Sequence, residues 1–201
     1  MRDCPLLGEG RVSPAERRIE AASRRVAGHW EVDLMMFSKY CQAVLTVHER
    51  TSRLLLGIRL ASKAARGVAR HLVRLFADLP ENLRQTVTSD DGTEFAHHLA
   101  LHRLSIAIFF CDLHSPWQKG GIENAIGRMR RFIPRKTDLA TLTSTAFRRL
   151  VATYNNTPRK CLDLQDPGRG LLSSVALRVW IRHCPYGMTT AGGTRHGKPT
   201  L

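Results

Sequence analysis

Between His29 and Leu60 the chain presents three apolar runs in succession, with no stretch of helical period between them. The first is His29-Trp30-Glu31-Val32-Asp33-Leu34-Met35-Met36, the second runs from Gln42 to His48 and the third from Arg53 to Leu60. Each has strand length and the composition of a half-buried strand. Glu49 to Ser52 is polar turn material. The three runs therefore predict an antiparallel meander.

After Leu60 the pattern changes. Val68, Leu72, Leu75 and Phe76 fall at helical spacing within residues 64–77, and Pro80 stops that helix. Thr86 to Asp90 reads as a short strand ending on an acid. Glu94 to Arg103 reads as a helix, with Phe95, Leu99 and either Leu101 or His102 turned inward. Ile106 to Phe110 is a further buried strand, and His114-Ser115-Pro116 a loop. From Gly120 a helix is expected through Phe132, stopped by Pro134, and Thr143 to Tyr154 is a last amphipathic helix. Residues 1–25, rich in Arg, Glu and Ala, read as an irregular lead-in. Three strands, helix, strand, helix, strand, helix is the order of an α/β fold: a mixed five-stranded sheet with flanking helices.

The charge balance narrows the partners. Among 201 residues, 31 Lys and Arg stand against 17 Asp and Glu, a net charge of +14. Such a surface attracts polyanions, nucleic acid first among them. A membrane role is not expected. The longest apolar run, Leu104 to Phe110, is far too short to span a bilayer, and the start carries no signal-peptide core. Cys4, Cys41, Cys111, Cys161 and Cys184 are odd in number and scattered, with no C-x-x-C pair. That pattern predicts reduced thiols in a cytoplasm rather than a disulfide framework or zinc ribbon. His98 and His102 are four apart, but no Glu follows His98, so the pair reads as a polar helix face rather than a metal site.

Three acids are candidates for chemistry. Asp33 lies inside the first strand between Val32 and Leu34, Asp90 ends the fourth strand, and Glu123 follows the pair Gly120-Gly121. An acid within a buried strand needs a partner, and a cation is one. Three converging carboxylates would suit Mg²⁺ or Mn²⁺, in a two-metal arrangement that activates an attacking oxygen and stabilises a leaving one. The plainer alternative is also open. Asp90-Asp91-Gly92 has turn chemistry, and Glu123 could pair with Arg130 or Arg131 on a solvated face.

Three segments, in order, carry a resemblance: Gly28-His29-Trp30-Glu31-Val32-Asp33-Leu34, Thr88-Ser89-Asp90-Asp91-Gly92-Thr93-Glu94-Phe95, and His114-Ser115-Pro116-Trp117-Gln118-Lys119-Gly120-Gly121-Ile122-Glu123-Asn124. Together they resemble the catalytic core of the bacterial insertion sequence thirty family of transposases, over roughly residues 12–163. The resemblance implies a ribonuclease-H-like, retroviral-integrase-type fold. It implies DNA strand cleavage and strand transfer by a DDE triad, which falls on Asp33, Asp90 and Glu123, both as catalytic residues and as metal ligands. The partner would be double-stranded DNA, the active form a homo-oligomer, and the location the bacterial cytoplasm.

Asp91 stands where relatives carry an Asn or similar residue, and it is expected to be a bystander. Candidate phosphate contacts are Lys119, Asn124, Arg128, Arg130, Arg131, Arg159 and Lys160. Arg130, nearly two turns past Glu123, matches a basic position of integrase-like enzymes. Trp117 could stack on a base or pack in the core. The run from Tyr154 to Lys160 is expected to dock the last helix and add phosphate contacts.

Two departures from the family pattern matter. After Leu162, relatives continue with a Thr-Pro-Ala-Glu segment, whereas this chain reads Asp163-Leu164-Gln165-Asp166-Pro167-Gly168-Arg169-Gly170. One inserted nucleotide near codon 164 would convert the first reading into the second. Residues 164–201 are then expected to be an out-of-frame, poorly ordered tail, and 26–163 the catalytic core. Family members also carry an N-terminal helix-turn-helix region for which the residues before Gly28 are too few, so the reading is of an N-terminally truncated copy. The competing function is a catalytically inactive DNA-binding remnant.

Overall fold

The computed structural model of the protein describes residues 24–38, 42–112 and 116–167. Its centre is a five-stranded sheet in the order β3-β2-β1-β4-β5. The strands are β1 (His29–Met36), β2 (Ala43–Glu49), β3 (Leu55–Leu60), β4 (Thr86–Ser89) and β5 (Ala107–Phe110). The first three form the expected antiparallel meander. β4 then pairs parallel with β1, and β5 parallel with β4. Three α-helices accompany the sheet: α1 (Ala65–Ala77), α2 (Gly120–Met129) and α3 (Ser144–Asn155).

The alternation of β1 divides the core in two. Trp30, Val32 and Leu34 point to one face, where they pack with Val68, Leu72, Leu75 and Phe76 of α1. Met35, and Phe37 just beyond the strand, point to the other, where they meet Ala125 and Met129 of α2 and Phe147 and Val151 of α3. Side chains two apart on a strand share a face. Glu31 and Asp33 therefore stand on the α2 side. On β3 the approach of α3 is close: a Cβ at Gly57 would lie 2.9 Å from the Phe147 ring. The end of α3 is tied down by Asn155, whose side chain accepts from the Leu55 N–H at 2.9 Å and donates to the Leu55 carbonyl at 2.7 Å.

Two helical expectations are corrected. Residues 94–103 form no α-helix but two 3₁₀ segments, Thr93–Phe95 and His98–Leu104. A 3₁₀ helix repeats every three residues. Phe95, His98 and Leu101 accordingly turn inward, while Leu99 is exposed and His102 stays on the surface. His98 is thus buried rather than part of a polar face, its ring edge against Phe110 at 4.7 Å. The second correction concerns α2, which ends at Met129, three residues before Phe132. Pro134 disfavours helical backbone at the residue before it, and the chain closes with irregular turns through Ile133. No helix among the described residues is long and apolar enough to cross a membrane.

Residues 1–23 and 168–201 lie outside the described residues, and with them most of the expected lead-in and tail. Of the tail, residues 164–167 are described. They fold back on the preceding turn, where Arg159 donates its N–H to the Gln165 carbonyl at 3.0 Å. Cys4, Cys41 and Cys184 also fall outside; Cys111 and Cys161 form no disulfide among the described residues.

Candidate active site

The register of the parallel pair β1–β4 sets up the site. Its last paired residues are Glu31 and Thr88. Two residues further along each strand, on the same face, come Asp33 and Asp90. They meet where the parallel pairing of β1 and β4 ends, Asp33 within β1 and Asp90 just past the carboxyl end of β4. One cation joins them. The Lys119 ammonium lies 3.0 Å from Asp33 Oδ2 and 2.9 Å from Asp90 Oδ2. Asp33 Oδ1 accepts the Leu34 N–H at 2.7 Å. Asp90 Oδ1 is buried and, among the described residues, has no hydrogen-bond partner.

The electrostatics follow from this crowding. Burial pushes the Asp33 carboxyl above its ordinary value, with Lys119 opposing the shift and Asp90 adding to it. Burial also works against the Lys119 ammonium, but the two aspartates outweigh it and hold that amine above the usual lysine value.

Lys119 is held in place from both sides. Before it, Gln118 and Asp112 clasp each other across the loop: Gln118 accepts from the Asp112 N–H at 2.8 Å and donates to the Asp112 carboxylate at 2.6 Å. After it comes α2, whose start is fixed by Glu31. That carboxylate is fully buried, accepts the Ile122 N–H at 2.7 Å and lies 3.5 Å from Arg50 Nε. Gly121 is what permits the approach, since a Cβ there would sit 2.6 Å from Glu31 Oε2. Anions at a helix N-terminus are favoured by its free N–H groups and dipole.

No family model matches the chain. It is similar to the transposase InsI for insertion sequence element IS30A of Escherichia coli, at 37% identity over 163 residues, 81% of this chain and 42% of that protein. It is also similar to the transposase for insertion sequence element IS1086 of Cupriavidus metallidurans, at 34% identity over 166 residues, 82% of this chain and 49% of that protein. The chain is an IS30-family transposase homologue. It spans about half the length of the curated relatives it matches, or somewhat less. The sheet and helices of this transposase homologue also match the crystal structure of the catalytic core domain of BIV integrase, with a TM-score of 0.56 at 17% identity. That match covers 76% of this chain and 99% of the integrase chain, and it establishes the integrase-core fold.

The transposase homologue brings together two of the three expected acids. Glu123 stands in the first turn of α2, one turn past Lys119, and is exposed. Among the described residues no group of three or more His, Cys, Asp or Glu is placed to hold a metal ion, so the three-carboxylate convergence is not present in this arrangement. Asp91 is exposed beside the site.

The expected phosphate contacts divide into two sets. Asn124, Arg128, Arg131 and Lys160 are exposed, with Arg128 donating to Asn124 at 2.9 Å. Lys119, Arg130 and Arg159 are turned inward instead. Lys119 serves the aspartates. Arg130 lies 4.8 Å over the Phe37 ring and donates to the Met36 carbonyl. Arg159 is buried, 4.4 Å over the Tyr154 ring, and donates to the Tyr154 carbonyl at 2.9 Å. A guanidinium stacks readily on an aromatic face, and both arginines have one in reach. The Trp117 side chain lies outside the described residues. Glu31 drew no functional reading from the sequence. The signal was there: an acid two positions from Asp33, on the same face of the same buried strand.

Proposed function

We propose that the chain is the catalytic core of a DNA transposase, carrying out strand cleavage and strand transfer on double-stranded DNA. The observation that carries this reading is the pair Asp33 and Asp90, held on a single cation where the parallel pairing of β1 and β4 ends. The donor set fits Mg²⁺ or Mn²⁺: it is all oxygen, it already gathers positive charge, and the buried Asp90 Oδ1 lacks a donor among the described residues. Asp33 and Asp90 would hold the ion, with Glu123 completing the set from α2. A bound pair of such ions activates the attacking oxygen and stabilises the leaving one.

Cleavage forms a bond from a water oxygen to the scissile phosphorus and breaks the bond to the 3′ oxygen, leaving a free 3′-OH. In transfer that hydroxyl forms a bond to a target phosphorus, its proton goes to solvent, and the target's own 3′ oxygen leaves. The chain's residues position the strands. Asn124, Arg128, Arg131 and Lys160 contact phosphates, and the Lys119 ammonium, once released from the aspartates, is free to do the same. Phosphate contacts fix register without reading sequence, so binding falls steeply with salt. Residues 26–163 make up this core, acting as a homo-oligomer, with 164–201 out of frame.

The test is joining of a pre-cut element end to target DNA by the purified chain in Mg²⁺ or Mn²⁺. Asp90→Asn should abolish joining and leave DNA binding intact; joining that survives in this variant overturns the assignment. A second reading, the inactive DNA-binding remnant, is favoured by the exposure of Glu123 and by the lack, among the described residues, of a three-acid group placed to hold a metal. Metal-independent binding with no joining by the wild-type chain would establish it.

A further inference from the structure

The face of α1 turned away from the core carries Arg66, Arg70 and Arg74, all exposed, four residues apart. Four residues advance a helix by about 6 Å, so the three guanidinium groups form a row. The thirteen residues of α1 contain no acid. Like charges at i, i+4 weaken a helix, and Arg66 in the first turn also opposes the dipole. Arg74 in the last turn is favoured by the dipole, but α1 carries no acid to pair with Arg66 and Arg70. An external anion would supply that partner.

The row forms one wall of an open groove of about 530 Å³. The 3₁₀ segment His98–Leu104 and its approach supply the other wall, adding His97 and Arg103 above the exposed Leu99. Among the described residues no acid lines the groove. The positive field there registers on a neighbour: burial first, then the charges of Arg70 and Arg74, hold the His71 imidazole below its usual value. The groove also connects to the candidate active site along the chain, since His97 follows Asp90 by seven residues, across a short 3₁₀ turn.

We propose that this groove is a second nucleic-acid site, which holds the phosphate backbone of duplex DNA beyond the point of strand exchange. The proposal rests on the reading of DNA as the substrate. Charge complementarity selects the occupant: a row of arginines with no acid on their helix, of a length that only an extended polyanion can satisfy at once.

The experiment is fluorescence anisotropy with a short duplex of random sequence, in EDTA, across a salt series. The variant combines Arg66→Gln, Arg70→Gln and Arg74→Gln. The control removes the same charge from other exposed positions, by Lys136→Gln, Arg148→Gln and Arg149→Gln. Circular dichroism confirms that both fold. The groove variant is expected to lose about tenfold or more in affinity, and its log–log salt slope should fall by two to three, about 0.9 for each phosphate no longer neutralised. The control should move by less than half of that. Equal losses in the two variants would overturn the site in favour of diffuse charge. A loss confined to a single-stranded probe would overturn the duplex assignment. Because the assay needs neither metal nor joining, a failed joining test leaves this result standing, and the reverse holds too.

Discussion

Glu31 and Asp33 stand two residues apart on one strand and look toward one helix, yet their surroundings are opposite. Glu31 is sealed. Its partners are a backbone N–H of α2 and the buried Arg50, and neither can leave without unpacking the domain. Asp33 is one-fifth exposed, and its partner is an ammonium on a flexible four-carbon stem. A buried charge with fixed partners serves the fold. One whose partner can swing away is available for exchange. Two residues along β1 thus separate a carboxylate locked into the fold from one whose partner can be exchanged.

The largest expected effect lies at the sealed end. Glu31→Ala strands Arg50 and frees the start of α2, and should cost about 3–5 kcal/mol in urea denaturation. Asp33→Asn should change stability by less than about 1 kcal/mol while abolishing joining. If the two variants destabilise alike, the contrast fails.

His48 sharpens the comparison by pH. It pairs with Glu31 in register, and burial, aided by Arg53, Arg24 and Arg159, holds its imidazole down to about 3. Because the folded value lies below the unfolded one, the unfolded chain binds the proton first, and stability falls as pH drops from about 6.5 toward 3. Between about pH 6.5 and pH 5 the wild type should lose about 1.5 kcal/mol more than His48→Gln, read from urea midpoints.

A small effect on stability is also expected when the cation at the open end is removed. Lys119→Met leaves Asp33 and Asp90 facing each other without a counter-charge, and in EDTA should cost about 1 kcal/mol, because both carboxylates are partly exposed and screened. Mg²⁺ should raise the melting temperature of this variant more than that of the wild type. A variant indifferent to Mg²⁺ would show that the aspartate pair is no cation site.

Much of this arrangement was legible in the sequence. The meander and α1 follow from periodicities of two and 3.6, and Asp33 and Asp90 stood out as candidate acids, but the face they share is set by the β1–β4 register. The 93–104 segment was not legible in this way, because Phe95, His98 and Leu101 at spacing three compete with Leu99 in a helical reading of the same residues. Arg130 looked like a phosphate contact because the ring that captures it, Phe37, is far away in the chain and is brought up by tertiary packing. The ring over Arg159 is local, Tyr154 at the end of α3, and the contact depends on how the chain turns after that helix. Lys119 looked like a phosphate contact for the same reason as Arg130, since its partners lie 86 and 29 residues away.

The side chain of Asn155 governs the sheet's far edge. By accepting from and donating to Leu55, a hundred residues earlier, it supplies at one position the hydrogen bonds that a sixth strand would make. An edge strand left open is a template for pairing with another chain. During synthesis, β3 emerges early and waits for α3 to close it. The last helix is in this sense a latch, and the interval before it arrives is when the nascent domain is most exposed to misassembly.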